Sequence, residues 1–295
     1  MPVPAAFAIV VLVWSTTPLA VKWSSGGGVT FLEGVALRMV AGALLASLLI
    51  RAFGLTRDYS AAACRMYASG ALGFFGAMGL LYWAAQFLPS GLIAVVFGVA
   101  PLFAGLFGAL MLGERTLTPL RVGALLAAMA GLAILYRGEM AINADAAPAI
   151  AALVVATTFY ALSSVLVKRH SVVMHPLSQV GGALWITAIG FTLVWAVTDG
   201  QLPSEAAPRT LGAIAYLSVF GSVLGFMLYF HLLARLPVAT VALIPLMTPP
   251  TALTIGWLVA GEPLTRHALL GAALIVTALA IYQWGDGVWR RAFSR

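Results

Sequence analysis

The chain reads as ten long apolar runs separated by short polar or Pro/Gly punctuation. The runs fall at about 4–23, 31–51, 66–88, 90–112, 118–136, 147–168, 177–198, 209–233, 238–260 and 266–285. Each is close to the roughly 20 residues that a helix needs to cross a hydrocarbon core. Apolar residues follow one another without alternation, so the pattern predicts helices rather than barrel strands. Some connections are tight, as at Pro89–Ser90 and Leu236–Pro237. The expected fold is an all-α integral membrane protein of ten transmembrane helices.

Composition supports this. Of 295 residues, 62% are hydrophobic and 8% charged, and mean hydropathy is +1.03. Too little polar surface exists to cover a soluble core of that make-up. Ten spans use about 200 residues, which leaves no room for a sizeable extramembrane domain. Cys64 is the one cysteine, so no intrachain disulfide or Cys-based metal site forms. No metal or cofactor is implied. The run from Pro4 to Trp23 has no basic residue before it and no cleavage signature, and reads as a retained first span.

A net charge of +7 and a pI near 10.0 raise nucleic acid as a partner. No basic face or aromatic-studded basic patch supports it. Placing the charges explains them better. With the N-terminus in the cytoplasm, Arg51, Arg57, Arg65, Arg115, Arg121, Lys168, Arg169, Arg235, Arg290, Arg291 and Arg295 face inward. Only Lys22, Arg137, Arg209 and Arg266 face outward. By the positive-inside rule both termini are cytoplasmic, in a cytoplasmic (inner) membrane.

The chain also repeats. A shift of 148 superimposes Leu88-Pro89 on Leu236-Pro237, Pro101 on Pro249, Gly113-Glu114 on Gly261-Glu262 and Gly123-Ala124 on Gly271-Ala272. A shift of 146 places Trp14 on Tyr160, Lys22 on Lys168 and Glu33 on Gln179. Residues 1–140 and 141–295 are therefore two copies of one unit. Five spans per copy is an odd number, so the second copy enters the membrane inverted. Inverted repeats are the architecture of secondary transporters, whose site lies near midplane between the halves.

With Pro, Gly-Glu and Gly recurring in order in both halves, the chain resembles paired EamA domains of the drug/metabolite transporter superfamily. Trp14-Ser15-Thr16-Thr17-Pro18 and Tyr82-Trp83-Ala84-Ala85 are most similar to the YddG-type amino-acid exporters. The resemblance implies a transporter, not an enzyme, that exports amino acids by alternating access, aromatic and other apolar ones preferred. Both repeats lie in one chain, so a monomer suffices.

Candidate substrate contacts come from prolines, aromatics and hydroxyls. Pro18 frees the carbonyl of Trp14, Pro101 that of Phe97, and Pro249 that of Pro245. Freed carbonyls at membrane depth either face a cavity, where they suit an ammonium group, or are satisfied by a neighbour. At helical spacing, Phe75, Met78, Tyr82 and Gln86 share a face of the third span, Thr157, Tyr160 and Ser164 of the sixth, and Ser222, Phe226 and Tyr229 of the eighth. Trp14, Tyr82, Tyr160 and Tyr229 fall near midspan, where they would line an apolar cavity rather than an interfacial belt.

Charge within the spans is scarce. Arg38 lies some seven residues into the second span, where a cation costs about 2.5–3.5 kcal/mol. It either attracts a substrate carboxylate or braces a helix end with Glu33 or a carbonyl as partner. Lys22 and Lys168 snorkel to the headgroups or guard the two mouths of the pathway. Glu114 and Glu262 read as caps before the fifth and tenth helices. No acid stands at midspan, which disfavours a carboxylate-coupled exporter of cationic drugs. HExxH, G-x-S-x-G and paired intramembrane aspartates are missing, which disfavours an intramembrane enzyme. Other neutral amphipathic metabolites, drugs or lipids remain an alternative cargo.

Overall fold

The structure is a computed structural model that describes residues 1–88, 90–137, 146–198, 200, 206–260 and 265–293. The side chains of residues 18, 19, 22, 90, 91, 256, 259, 260 and 286–293 lie outside the description. Apart from one isolated bridge between Gly26 and Val29, every regular element among the described residues is helical. Ten rods result: Val3–Ser24, Phe31–Ala52, 61–84, 90–112, Pro119–Leu135, Ala147–Arg169, Pro176–Thr198, 208–233, 238–260 and Arg266–Phe293. Seven helices among the described residues are long and apolar enough to cross a membrane, with shorter apolar ones at Val3–Thr17 and Pro119–Leu135.

Local chemistry sets the ends. Thr30 and Glu33 form a reciprocal capping box at the second rod: the Glu33 N–H donates to Thr30 Oγ1 at 3.3 Å and the Thr30 N–H to Glu33 Oε2 at 2.6 Å. Gly113 stops the fourth rod at φ +71, a conformation that glycine adopts without strain, and the Glu114 N–H returns to the Gly108 carbonyl at 3.1 Å. The third rod differs from its apolar run. It starts at Ala61 because Ser60 caps it, accepting from the Ala63 N–H at 3.2 Å, and ends at Ala84. Hydropathy alone missed the polar cap and set the span about a turn too late.

Two irregularities recur in repeat-related places. The third rod is π-helical over Leu72–Ala77 and the eighth over Leu217–Leu224. The fourth rod breaks at 98–99 and the ninth at 242–243. Each restarted helix carries proline in its first turn, Pro101 and Pro245, where no N–H is needed. Pro249, which the 148-residue shift aligns with Pro101, lies inside the ninth-rod helix with Pro250, so the ninth rod breaks about one turn earlier in the repeat.

The repeats interleave. The second rod packs on the seventh, the third and fourth on the sixth, the eighth and ninth on the first, and the fifth on the tenth. Each pairing has a counterpart under the repeat. The fifth and tenth rods meet backbone to backbone, since a Cβ on Gly131 would lie 2.9 Å from the Gly271 carbonyl oxygen. The main core joins the first to fourth and the sixth to ninth rods.

Candidate functional site

Trp14, Phe226, Tyr229 and Tyr160 gather where the first, sixth and eighth rods meet. Ring centroids are 5.0 Å apart for Trp14–Phe226, 5.3 Å for Trp14–Tyr229 and 5.8 Å for Tyr160–Tyr229. Gly225 admits the indole: a Cβ there would lie 2.5 Å from Trp14 Nε1. Phe97, from the broken fourth rod, touches the edge of the cluster at 6.0 Å from Tyr160. Polar handles sit among the rings. Ser164 Oγ and the Tyr229 hydroxyl are 2.7 Å apart. The buried Tyr160 hydroxyl has no hydrogen-bond partner among the described residues.

One turn along the eighth rod stands Arg38, 3% exposed. Its Nε donates to Ser222 Oγ at 2.9 Å and its Nη1 to the Tyr82 hydroxyl at 3.0 Å. Ser218 Oγ donates to the Arg38 carbonyl at 3.1 Å. The expected bracing by Glu33 does not occur, because Glu33 is occupied in its own capping box. Tyr82 therefore belongs to the arginine rather than to the ring cluster.

At the end of the bundle that carries Arg51, Arg115 and Arg235, three polar groups converge. Lys168 Nζ donates to Glu114 Oε1 at 2.5 Å and to the Leu236 carbonyl at 2.6 Å. Glu114 Oε2 accepts from the Val238 N–H at 2.9 Å. Lys168 does not snorkel; it is paired. Glu114 does not cap the fifth rod, where Thr118 accepts from the Arg121 N–H. It instead ties the end of the fourth rod to the sixth rod and to the turn before the ninth. Spacing places both residues near helix ends but gives no sign that they meet.

Two of the three proline-freed carbonyls, those of Trp14 and Pro245, are not open. Thr17 Oγ1 donates to the Trp14 carbonyl at 2.9 Å, and Thr248 Oγ1 to the Pro245 carbonyl at 3.0 Å. A neighbouring threonine re-satisfies each carbonyl, as membrane helices allow. The third-span stripe also divides. A π-turn holds more residues than an α-turn, so positions seven apart across it lose their common face. Phe75 packs on Phe191 with centroids 4.7 Å apart, while Tyr82 turns to the core and Met78 packs against it. Gln86 lies beyond the helix end, exposed, its amide donating to the Trp83 carbonyl at 3.3 Å. Pro101 is buried at the fourth-rod restart. The side chains of Pro18 and Lys22, and Glu262 altogether, lie outside the described residues.

Two grooves flank the core. One, lined by residues including Thr16, Ala20, Trp23, Arg209 and Tyr216, lies between the first and eighth rods. The Arg209 guanidinium sits 3.8 Å over the Trp23 ring, and Thr16 Oγ1 and the Tyr216 hydroxyl are 2.6 Å apart. The other is apolar, lined by residues including Phe31, Phe75, Trp83, Phe159 and Phe191. Neither includes the ring cluster.

Both halves match the EamA-like transporter family, over residues 3–137 and 147–283. The chain is 27% identical over 215 residues to a Streptantibioticus cattleyicolor protein named "Probable terminal-alkyne amino-acid exporter", covering 72% of this chain and 70% of that one. It is 27% identical over 300 residues to the Escherichia coli K12 "Uncharacterized inner membrane transporter YedA", covering 97% and 92%. "Protein PecM" of Dickeya dadantii is 27% identical over 222 residues, covering 74% and 73%. A solved crystal structure superimposes with a TM-score of 0.79 at 20% identity over 99% of this chain and 98% of that one, a likeness of fold.

Proposed function

We infer that this chain, which belongs to the EamA-like transporter family, exports amino acids with aromatic and other apolar side chains by alternating access. The observation that carries the reading is the ring cluster of Trp14, Tyr160, Phe226 and Tyr229, which joins both repeats and holds the Ser164 and tyrosine hydroxyls among its rings. Such a site offers a planar side chain stacking partners and a few oriented polar groups, as small-molecule sites do. The basic end faces the cytoplasm. There the Glu114–Lys168 tie seals the route, so the conformation described is closed on the side from which cargo arrives. The same residue types recur under the repeat as Glu262 and Lys22. An inverted pair of halves then has two exchangeable arrangements of similar energy. The chain acts as a monomer.

Counterflow into liposomes tests this. Purified protein reconstituted with internal phenylalanine accumulates labelled phenylalanine, and Trp14→Ala or Tyr160→Ala lowers the rate about tenfold or more without lowering the thermal midpoint in proportion. Exchange of cationic dyes or phospholipids, with none of any amino acid, sinks the reading.

A further inference from the structure

We propose that Arg38, Ser222 and Tyr82 form an anion subsite that holds the carboxylate of the cargo; the proposal rests on the amino-acid reading above for its cargo, not for its geometry. Arg38 is a fixed positive charge, 3% exposed, in a rod apolar enough to cross the membrane. Buried cations are normally paired with an anion. Among the described residues none reaches it, and its two side-chain partners are neutral hydroxyls. Nη2 is the edge of the guanidinium not used in either bond. It faces Gly221, where a Cβ would stand 3.1 Å away. The missing side chain lets this uncommitted donor lie against the eighth-rod backbone.

The repeat shows that the fold does not need this polar joint. The shifts that align the halves carry Arg38 to Leu184, Tyr82 to Phe230 and Ser222 to Phe74. Those three residues are buried in one core, and the Phe74 and Phe230 rings stack at 5.9 Å. The same junction between the third and eighth rods is thus built once from hydrocarbon and once around a cation. A brace demanded by the architecture would recur; a ligand group belongs on one side only.

The position suits a zwitterion. Successive turns of the eighth rod present Gly221 and Ser222 to Arg38, then Gly225 and Phe226 to Trp14, then Tyr229 to Tyr160. One turn is about 5.4 Å, comparable to the separation of carboxylate and ring in an aromatic amino acid. When the halves part, the carboxylate accepts from Nη2 beside Gly221 while the side chain lies among the rings. Ser222 and Tyr82 hold the guanidinium in place. Outward of this level lies the groove with Thr16, Tyr216 and Arg209.

Competition against labelled phenylalanine in counterflow separates the chemistry. The free acid 3-phenylpropionate should compete within about tenfold of phenylalanine, and phenylalaninamide about 100-fold less well, the range expected for loss of a charge-assisted hydrogen bond. Equal competition by amide and acid overturns the subsite and leaves export standing. Binding is read independently as the thermal shift that 3-phenylpropionate gives the purified protein. The shift should vanish in Arg38→Leu, which the Leu184 joint indicates will fold, and persist in part in Arg38→Lys. An unchanged shift in Arg38→Leu overturns the proposal. A shift that depends on Arg38, without counterflow of any amino acid, keeps the subsite and removes the amino-acid reading.

Discussion

The two repeat-related junctions between the third and eighth rods differ in kind. On one side Leu184, Phe230 and Phe74 close a dry contact. On the other Arg38, Tyr82 and Ser222 enclose a charge. A matching contrast runs through the glycines. A Cβ on Gly73 would lie 2.7 Å from Ser163 Oγ, whereas on Gly221 it would lie 3.5 Å from the repeat-equivalent Thr17 Cγ2. Gly73 lets the third and sixth rods meet, and Gly221 lets the guanidinium reach the eighth-rod backbone, 3.1 Å from where a Cβ would stand. By contrast, the residues of the Glu114–Lys168 tie keep their types in the other half. The residue types of the tie thus recur under the repeat, while the charge in the junction does not. Closing devices can be shared by two exchangeable halves; recognition of an asymmetric cargo cannot.

The contrast can be broken by moving the charge. Leu184→Arg puts a cation into the hydrocarbon junction with no hydroxyl to receive it. We expect roughly 3 kcal/mol or more of destabilisation, seen as lost monodisperse protein in size-exclusion chromatography. Tightly packed Gly73→Ala should cost about 1–3 kcal/mol, because its methyl meets Ser163; a thermal midpoint equal to that of the parent would show that this contact is loose.

The basic-end tie gives the next effect. Glu114→Gln and Lys168→Met should each lower unfolding free energy by about 1–2 kcal/mol, and the double variant by clearly less than the sum. Additive losses would mean that the two side chains do not act as a pair. Gly221→Ala should weaken carboxylate competition about tenfold at a stability cost of about 1 kcal/mol, since its methyl would stand 3.1 Å from Nη2. Gln86→Ala should change neither stability nor transport measurably, because the side chain is exposed beyond the helix end.

Helix content, the ten rods and the repeat were legible in the sequence because each rests on local periodicity or on residues recurring at a fixed shift. The eighth-rod stripe of Ser222, Phe226 and Tyr229 carried over intact, and all three point into the core. The third-rod stripe did not, since the π-turn at Leu72–Ala77 rotates one part of the rod against the other, and hydropathy does not encode that extra residue per turn. Proline positions were plain, but whether a freed carbonyl is open depends on a threonine rotamer, and Thr17 and Thr248 close theirs.

What the sequence determined by itself is the solvent and the plan: an uncharged midplane forces helices, and two odd-numbered copies set their order. What only the tertiary structure decided is the partner of each charge. Glu33 stands five residues before Arg38 and does not touch it, while Ser222 lies 184 residues away and does. Glu114 likewise passes over its own helix to meet Lys168 and the Val238 N–H. Charges buried in low dielectric take whatever donor or acceptor the packing brings within about 3 Å, and sequence distance does not enter that geometry.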